Sequence, residues 1–86
     1  MKLENESFTI YDVEELKKTL IEELHVYKDV VIDLSNIQKI DMPAIQLLLA
    51  LKKSCKDMNK GFELKNIDEN IYKAFQLSGC DTALGV

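Results

Sequence analysis

The chain has 86 residues and a formal net charge of -4, and all eleven of its basic residues are Lys. That length suits one domain, residues 1–86, and an acidic balance without any Arg argues against nucleic acid, whose bidentate recognition relies on Arg. No apolar run reaches the ~20 residues that a membrane span requires, and Met1-Lys2 leads into acidic and polar residues rather than a signal peptide, so the cytoplasm is the expected compartment.

Residues 5–10, Asn5-Glu6-Ser7-Phe8-Thr9-Ile10, alternate polar and apolar and end in β-formers, which predicts a half-buried first strand. Asp12 with Glu15 three residues later reads as a capping-box-like helix start. Val13, Leu16, Leu20, Ile21 and Leu24 then fall on one stripe, so the first helix runs from about Asp12 to Leu24. His25 sits at its end, where a positive charge suits the dipole. Lys28-Asp29 turn the chain into Val30 to Leu34, a β-branched run typical of a buried strand. After Ser35-Asn36, a short extended piece from Gln38 to Ile40 leads to Asp41.

Pro43 cannot continue a central strand but fits the first turn of a helix, where its missing N–H has no intrahelical partner. The second helix spans about 43–59. Ala44, Leu47, Leu48, Leu51, Cys55 and Met58 form its expected core face. Ile45 and Leu49 lie off that face beside Lys52 and Lys56, while Gln46, Lys53 and Asp57 point away. Asn59-Lys60-Gly61 is a stop, with Gly61 expected at positive φ. Phe62-Glu63-Leu64 reads as a short strand. Asn66-Ile67-Asp68 turns the chain and caps a third helix, with Ile71, Ala74, Phe75 and Ser78 inside. Gly79 ends that helix and Cys80 follows as its apolar contact. Residues 81–86 form a last helical turn or fray. The order β-α-β-β-α-β-α gives the α/β class, a small mixed sheet with helices packed on it. The first crossover is expected to be right-handed.

No catalytic constellation is visible. Cys55 and Cys80 belong to no C-x-x-C pair and read as small buried apolar residues. With His25 the only histidine, ligands for a metal are too few. There is no Ser-His-Asp set and no phosphate loop of the G-x-G-x-x-G or G-K-[ST] kind. Asp33 and Asp41 are the carboxylates placed near one sheet edge and could share acid–base work. Structural roles outweigh that: Asp33 can pair with a Lys or cap a turn, and Asp41 can cap the second helix. Neither an enzymatic activity nor a cofactor is expected. The Asp41-Met42 loop puts backbone N–H groups and the positive end of a helix dipole at the surface, the first place to look for a site.

The run Val31-Ile32-Asp33-Leu34-Ser35-Asn36-Ile37, followed by Ile40-Asp41 and an apolar helix carrying Leu48-Leu49-Ala50-Leu51-Lys52-Lys53, resembles the core of the STAS domain. That is the fold of anti-sigma-factor antagonists and of the cytoplasmic part of sulphate transporters. The resemblance covers nearly the whole chain and includes Gly79 after the last long helix. In phospho-switched members the Asp matching Asp41 is followed by a Ser or Thr that a partner kinase phosphorylates, then by a small residue and a Gly. This chain has Met42-Pro43-Ala44 there. Met42 offers no hydroxyl, so the resemblance implies the fold and a binding surface but not phosphorylation at that position.

The expected function is therefore a non-enzymatic interaction module in bacterial signalling. Its surface would comprise Asp41, Met42, Pro43, Ile45, Gln46 and Leu49, apolar residues at the rim of a helix mouth. A flexible, polarizable Met suits such a surface. The partner would be an anti-sigma-type kinase, a chemotaxis or stress-signalling component, or a transport component such as a lipid-transport complex. A weak homodimer is compatible with the sequence. The alternative is a sensor of a nucleotide or lipid held at the same helix mouth, where N–H groups favour anions. The absence of Arg and of a Gly-rich loop counts against it.

Overall fold

The chain, described over residues 1–86 by a computed structural model, turns twice from a strand directly into a helix. Its elements are β1 (Ser7–Phe8), α1 (Ile10–Val26), β2 (Val30–Asp33), β3 (Lys39–Ile40), α2 (Met42–Asp57), β4 (Phe62–Lys65), α3 (Glu69–Leu77) and α4 (Asp81–Leu84). The order is the expected one, with the last helical turn formed.

β2 and β4 pair in parallel, from Val30 opposite Phe62 to Asp33 opposite Lys65. β1 pairs with β3 in parallel, Ser7 opposite Lys39 and Phe8 opposite Ile40. The N-terminal residues join the two pairs. Lys2 bridges to Asp33, Leu3 N–H donates to the Asp33 carbonyl at 3.2 Å, and Asp33 N–H donates to the Met1 carbonyl at 2.7 Å. β2 and β3 are thus successive pieces of one path, interrupted by a turn in which Ile37 N–H donates to the Leu34 carbonyl at 3.0 Å. The sequence implies a mixed sheet, whereas every pairing in the structure is parallel. The physical reason is that α1 and α2 serve as crossovers, each returning the chain to the end from which the next strand starts.

One face of the sheet is covered. Val30, Ile32 and Leu64 are buried, while Glu63 and Lys65 are exposed and Val31 and Asp33 half-buried. The helices close over the covered face, and eighteen buried residues form one cluster that includes Phe8, Leu20, Ile32, Leu48 and Phe75. Full burial of such a side chain is worth about 1.5–3 kcal/mol relative to leaving it in water.

α2 lies between α1 on one side and α4 on the other, so its buried arc is wider than a single stripe. This corrects the helix face read from spacing. Ile45, expected off the core, is 2% exposed, because the flank toward α4 is covered as well as the flank toward α1. Leu49 on the same flank is half-buried and packs against the core. Met58, expected inside, is the C-cap and is exposed. In α1, Leu16, Leu20 and Leu24 are buried as expected, but Ile21 stands at the edge of the stripe and is exposed.

Two helix ends also differ from expectation. α1 starts at Ile10, with Thr9 as N-cap. Asp12 is its N3 residue rather than its cap. At the other end the Lys60 ammonium donates to the carbonyls of Leu24 and, at 3.0 Å, of Tyr27, satisfying the orphan carbonyls from across the fold. The left-handed residue after α2 is Asn59, at φ 56°. Gly61 is needed for closeness instead: its N–H donates to Asp29 Oδ1 at 3.0 Å, and a Cβ there would meet that oxygen at 2.8 Å.

Candidate functional site at the paired helix starts

Because β1 and β3 are parallel neighbours, both strands leave the sheet at the same edge, and each passes at once into a helix. The starts of α1 and α2 are thereby set side by side. Ligand sites of open parallel sheets lie at such strand ends.

Asp41 joins the two starts. Its N–H donates to the Phe8 carbonyl at 3.3 Å, which extends the β1–β3 ladder by one bond. As N-cap of α2 its Oδ1 accepts from Ala44 N–H at 3.3 Å. Its Oδ2 accepts from Ile10 N–H, the first residue of α1, at 2.9 Å. One carboxylate thus serves orphan donors of two helices. On the α1 side, Asp12 Oδ2 accepts from Thr9 N–H at 3.1 Å, from the Thr9 hydroxyl at 3.2 Å and from the Ser7 hydroxyl at 3.1 Å. The Thr9 backbone bond, chiefly, holds the Asp12 carboxyl below its ordinary pKa, with the two hydroxyls adding to it. Both positive helix ends are therefore met by the chain's own carboxylates.

Around this polar seam stand apolar side chains in water. Tyr11 is 94% exposed, Ile10 58% and Met42 45%. Pro43 is half-buried in the first turn of α2, and Gln46 is exposed one turn further on. Of the residues expected at this surface, Asp41, Met42, Pro43 and Gln46 come together at the mouth. Ile45 is inside the protein, and Leu49 lies two turns along α2, partly covered. Ile10 and Tyr11 belong to the mouth and the sequence reading missed them. It took Ile10 as the last strand residue. The available signal was Thr9, which can cap a helix, with an acid three residues later.

The second carboxylate considered for acid–base work is committed elsewhere. Asp33 Oδ1 accepts from Ser35 N–H at 2.8 Å and Oδ2 from Asn66 Nδ2 at 3.0 Å. The Ser35 backbone bond foremost, then the Ser35 side chain, the Asn66 bond and the Lys2 charge hold its pKa down. Asp33 is an ionised brace between the turn after β2 and the turn after β4. Burial pushes the Cys55 thiol up in pKa, with the Lys60 charge opposing weakly, which makes Cys55 a poor nucleophile. No group of three or more His, Cys, Asp or Glu side chains is arranged to hold a metal ion, and no helix is long and apolar enough to cross a membrane.

Comparison with known proteins places this geometry. No curated protein matches the chain. Among solved structures, a protein described as a sulfate transporter family protein from Wolinella succinogenes superposes with a TM-score of 0.79 at 20% identity, over 99% of this chain and 69% of that one. At that identity the likeness speaks for the fold. The model of the family described as "Mlab, STAS domain" matches residues 5–86. That span takes in every strand and helix, including both helix starts that Asp41 ties together, and the chain belongs to the STAS domain family.

Proposed function

We propose that this STAS domain is a non-enzymatic, cytoplasmic interaction module of bacterial signalling whose partner surface is the mouth shared by α1 and α2. The surface consists of Ile10, Tyr11, Met42, Pro43 and Gln46 arranged around Asp41. The observation that carries this reading is the exposure of Ile10, Tyr11 and Met42 at two helix starts that one carboxylate, Asp41, ties together through Ile10 N–H and Ala44 N–H. Three apolar side chains on one rigid seam form a pre-organised contact, and contacts of this kind dominate binding energy when a partner dries them.

Two further features support a protein partner over a small anion. The donors at the mouth are already taken, Ile10 and Ala44 by Asp41 and Thr9 by Asp12. An anionic ligand would have to displace a carboxylate. Met42 also removes the hydroxyl that a kinase would modify, so binding here does not depend on a phosphate at that position. Which class of protein docks there, an anti-sigma-type kinase, a signalling component or a transport component, is read by the co-purification below.

The test is co-purification from the native cell of the wild-type chain and of Tyr11→Asp and Met42→Asp variants, followed by titration of the protein recovered. Both side chains are exposed, so the variants should melt like the wild type. Loss of a 1:1 partner in both variants, with the melt retained, is the expected result; about 2 kcal/mol or more per variant marks a central contact. Unchanged affinity in both would remove the mouth from the interface. A thermal-shift screen with nucleotides and lipids separates the alternative sensing reading, which requires a specific shift.

A further inference from the structure

The structure contains a single ion pair, Lys73 with Glu69 at 3.6 Å, although the chain carries eleven basic and fifteen acidic residues. Among the charges left without an ion-pair partner, two groups of opposite sign surround apolar side chains on two helix flanks.

The first flank belongs to α1. Glu15, Thr19, Glu22 and Val26 follow one another at i, i+4, i+7 and i+11, one line along the helix. A surface hollow at its lower end is lined by Thr19, Glu22, Glu23, Val26 and Tyr27. Val26 is 72% exposed and Tyr27 54%, so an apolar pair stands among carboxylates. Lys18 borders this flank without an ion-pair partner. The second flank belongs to α2. Leu49, Lys52, Lys53 and Lys56 fall at i, i+3, i+4 and i+7, and together with Ala83 they line another hollow. Lys52 is held by a bond from its ammonium to the Ala83 carbonyl at 2.7 Å. Here an apolar pair, Leu49 and Ala83, stands among ammonium groups.

The flanks point in opposite directions. The facing sides of the two helices are marked by the groove between them, lined by Leu20, Ile21 and Leu24 on α1 and by Leu47, Ala50 and Leu51 on α2. The acidic line lies on the side of α1 away from that groove. The lysines lie on the side of α2 away from it.

We infer that the chain associates with itself head to tail, the acidic flank of α1 in one copy docking on the lysine flank of α2 in the next. Each flank has what the other lacks: a charged rim of opposite sign and an apolar centre that the contact would dry. A contact between two different patches is heterologous. Because the patches face opposite ways, one pair of copies leaves a free flank at each end, and short chains or a ring form rather than a closed two-fold dimer. Tyr11 of the mouth stands one turn before Glu15 on the same side of α1, so the two surfaces adjoin, and the charge-reversed variants below leave every residue of the mouth unchanged so that the two contacts are read separately.

Sedimentation velocity of the full chain over a range of concentrations tests it. At about 10 mM salt, where the Debye length is about 30 Å, the average mass should rise with concentration; at about 1 M salt, where it is about 3 Å, the chain should be monomeric. Two charge-reversed variants identify the flanks. Glu15→Lys/Glu22→Lys and Lys53→Glu/Lys56→Glu should each lose self-association, and an equimolar mixture of the two should regain it. The first variant is the discriminating one. It turns two charges of -1 into +1, bringing the formal net charge from -4 to zero. General charge repulsion predicts that it associates more; matched flanks predict that it associates less. A wild type that stays monomeric at low salt, an acidic-flank variant that associates as well as the wild type, or a mixture that stays monomeric would each overturn the inference. All four residues are on the helix surfaces, and thermal melts of both variants confirm that the fold is kept.

Discussion

α1 and α2 are nearly equal in length, seventeen and sixteen residues, and begin side by side, yet they are started by different means. The start of α1 draws on near and distant residues: Ser7, Thr9 and Asp12 satisfy one another within five residues of chain, and Ile10 N–H is taken by Asp41, thirty-one residues away in sequence. The start of α2 is capped locally, by Asp41 on Ala44 N–H. Along the helices the dependence is reversed. α1 buries one stripe of leucines, whereas α2 is covered on two flanks and buries Ala44, Ile45, Leu48, Leu51 and Cys55. A helix at the edge of a layer needs only its own pattern to be read. A central helix takes its buried arc from its neighbours.

The largest expected effect comes from the centre of that contrast. Leu48→Ala, at 0% exposure in α2, should cost about 2–5 kcal/mol through lost burial and a residual cavity. Ile21→Ala, at the exposed edge of the α1 stripe, should cost well under half as much. Paired urea melts measure both; equal losses would mean that α1 and α2 share the core evenly.

The caps come next. Asp41→Ala removes an N-cap, about 0.5–2 kcal/mol by itself, and also strands Ile10 N–H. Its loss should exceed the value for a cap alone, and it should loosen the start of α1 as well as its own helix. Hydrogen exchange at the first turn of α1 reads this directly: protection there should fall in Asp41→Ala. Unchanged exchange would show that the bond to Ile10 is not maintained in solution.

Acid sharpens the comparison further. The Asp12 and Asp33 carboxyls lie below the ordinary value of 3.8 in the folded chain. A lowered folded pKa means that the unfolded chain takes up protons first as the pH falls. The stability these groups supply is therefore fully present above about pH 4 and is lost as the pH drops through their folded values. Asp12→Asn and Asp33→Asn should each flatten the melting temperature against pH below 4 and leave its shape above pH 5 unchanged.

The smallest effect separates the two cysteines. Cys55 is buried on α2 with a raised thiol pKa, and Cys80 is half-buried at the start of α4. A thiol reagent at neutral pH should label Cys80 first, and Cys55 only at the rate of unfolding. Prompt double labelling would show that α2 is not seated as described.

The sequence by itself determined the element order, the central Val30–Leu34 strand, the leucine stripe of α1 and the cap at Asp41, because each rests on residues close in the chain. It also carried the STAS resemblance, through Val31–Ile37, Ile40-Asp41 and Leu48–Lys53, with Gly79 further on. Only the tertiary structure decided the rest. The parallel joining of the N-terminal residues to both β2 and β3, the burial of Ile45 under a second flank and the capping of α1 by Lys60 all depend on residues brought from far along the chain. The mouth is the clearest case. Met42 beside Asp41 is legible in one stretch, but Ile10 and Tyr11 join it only because β1 lies against β3, and periodicity along a single helix carries no information about which other helix starts at its side.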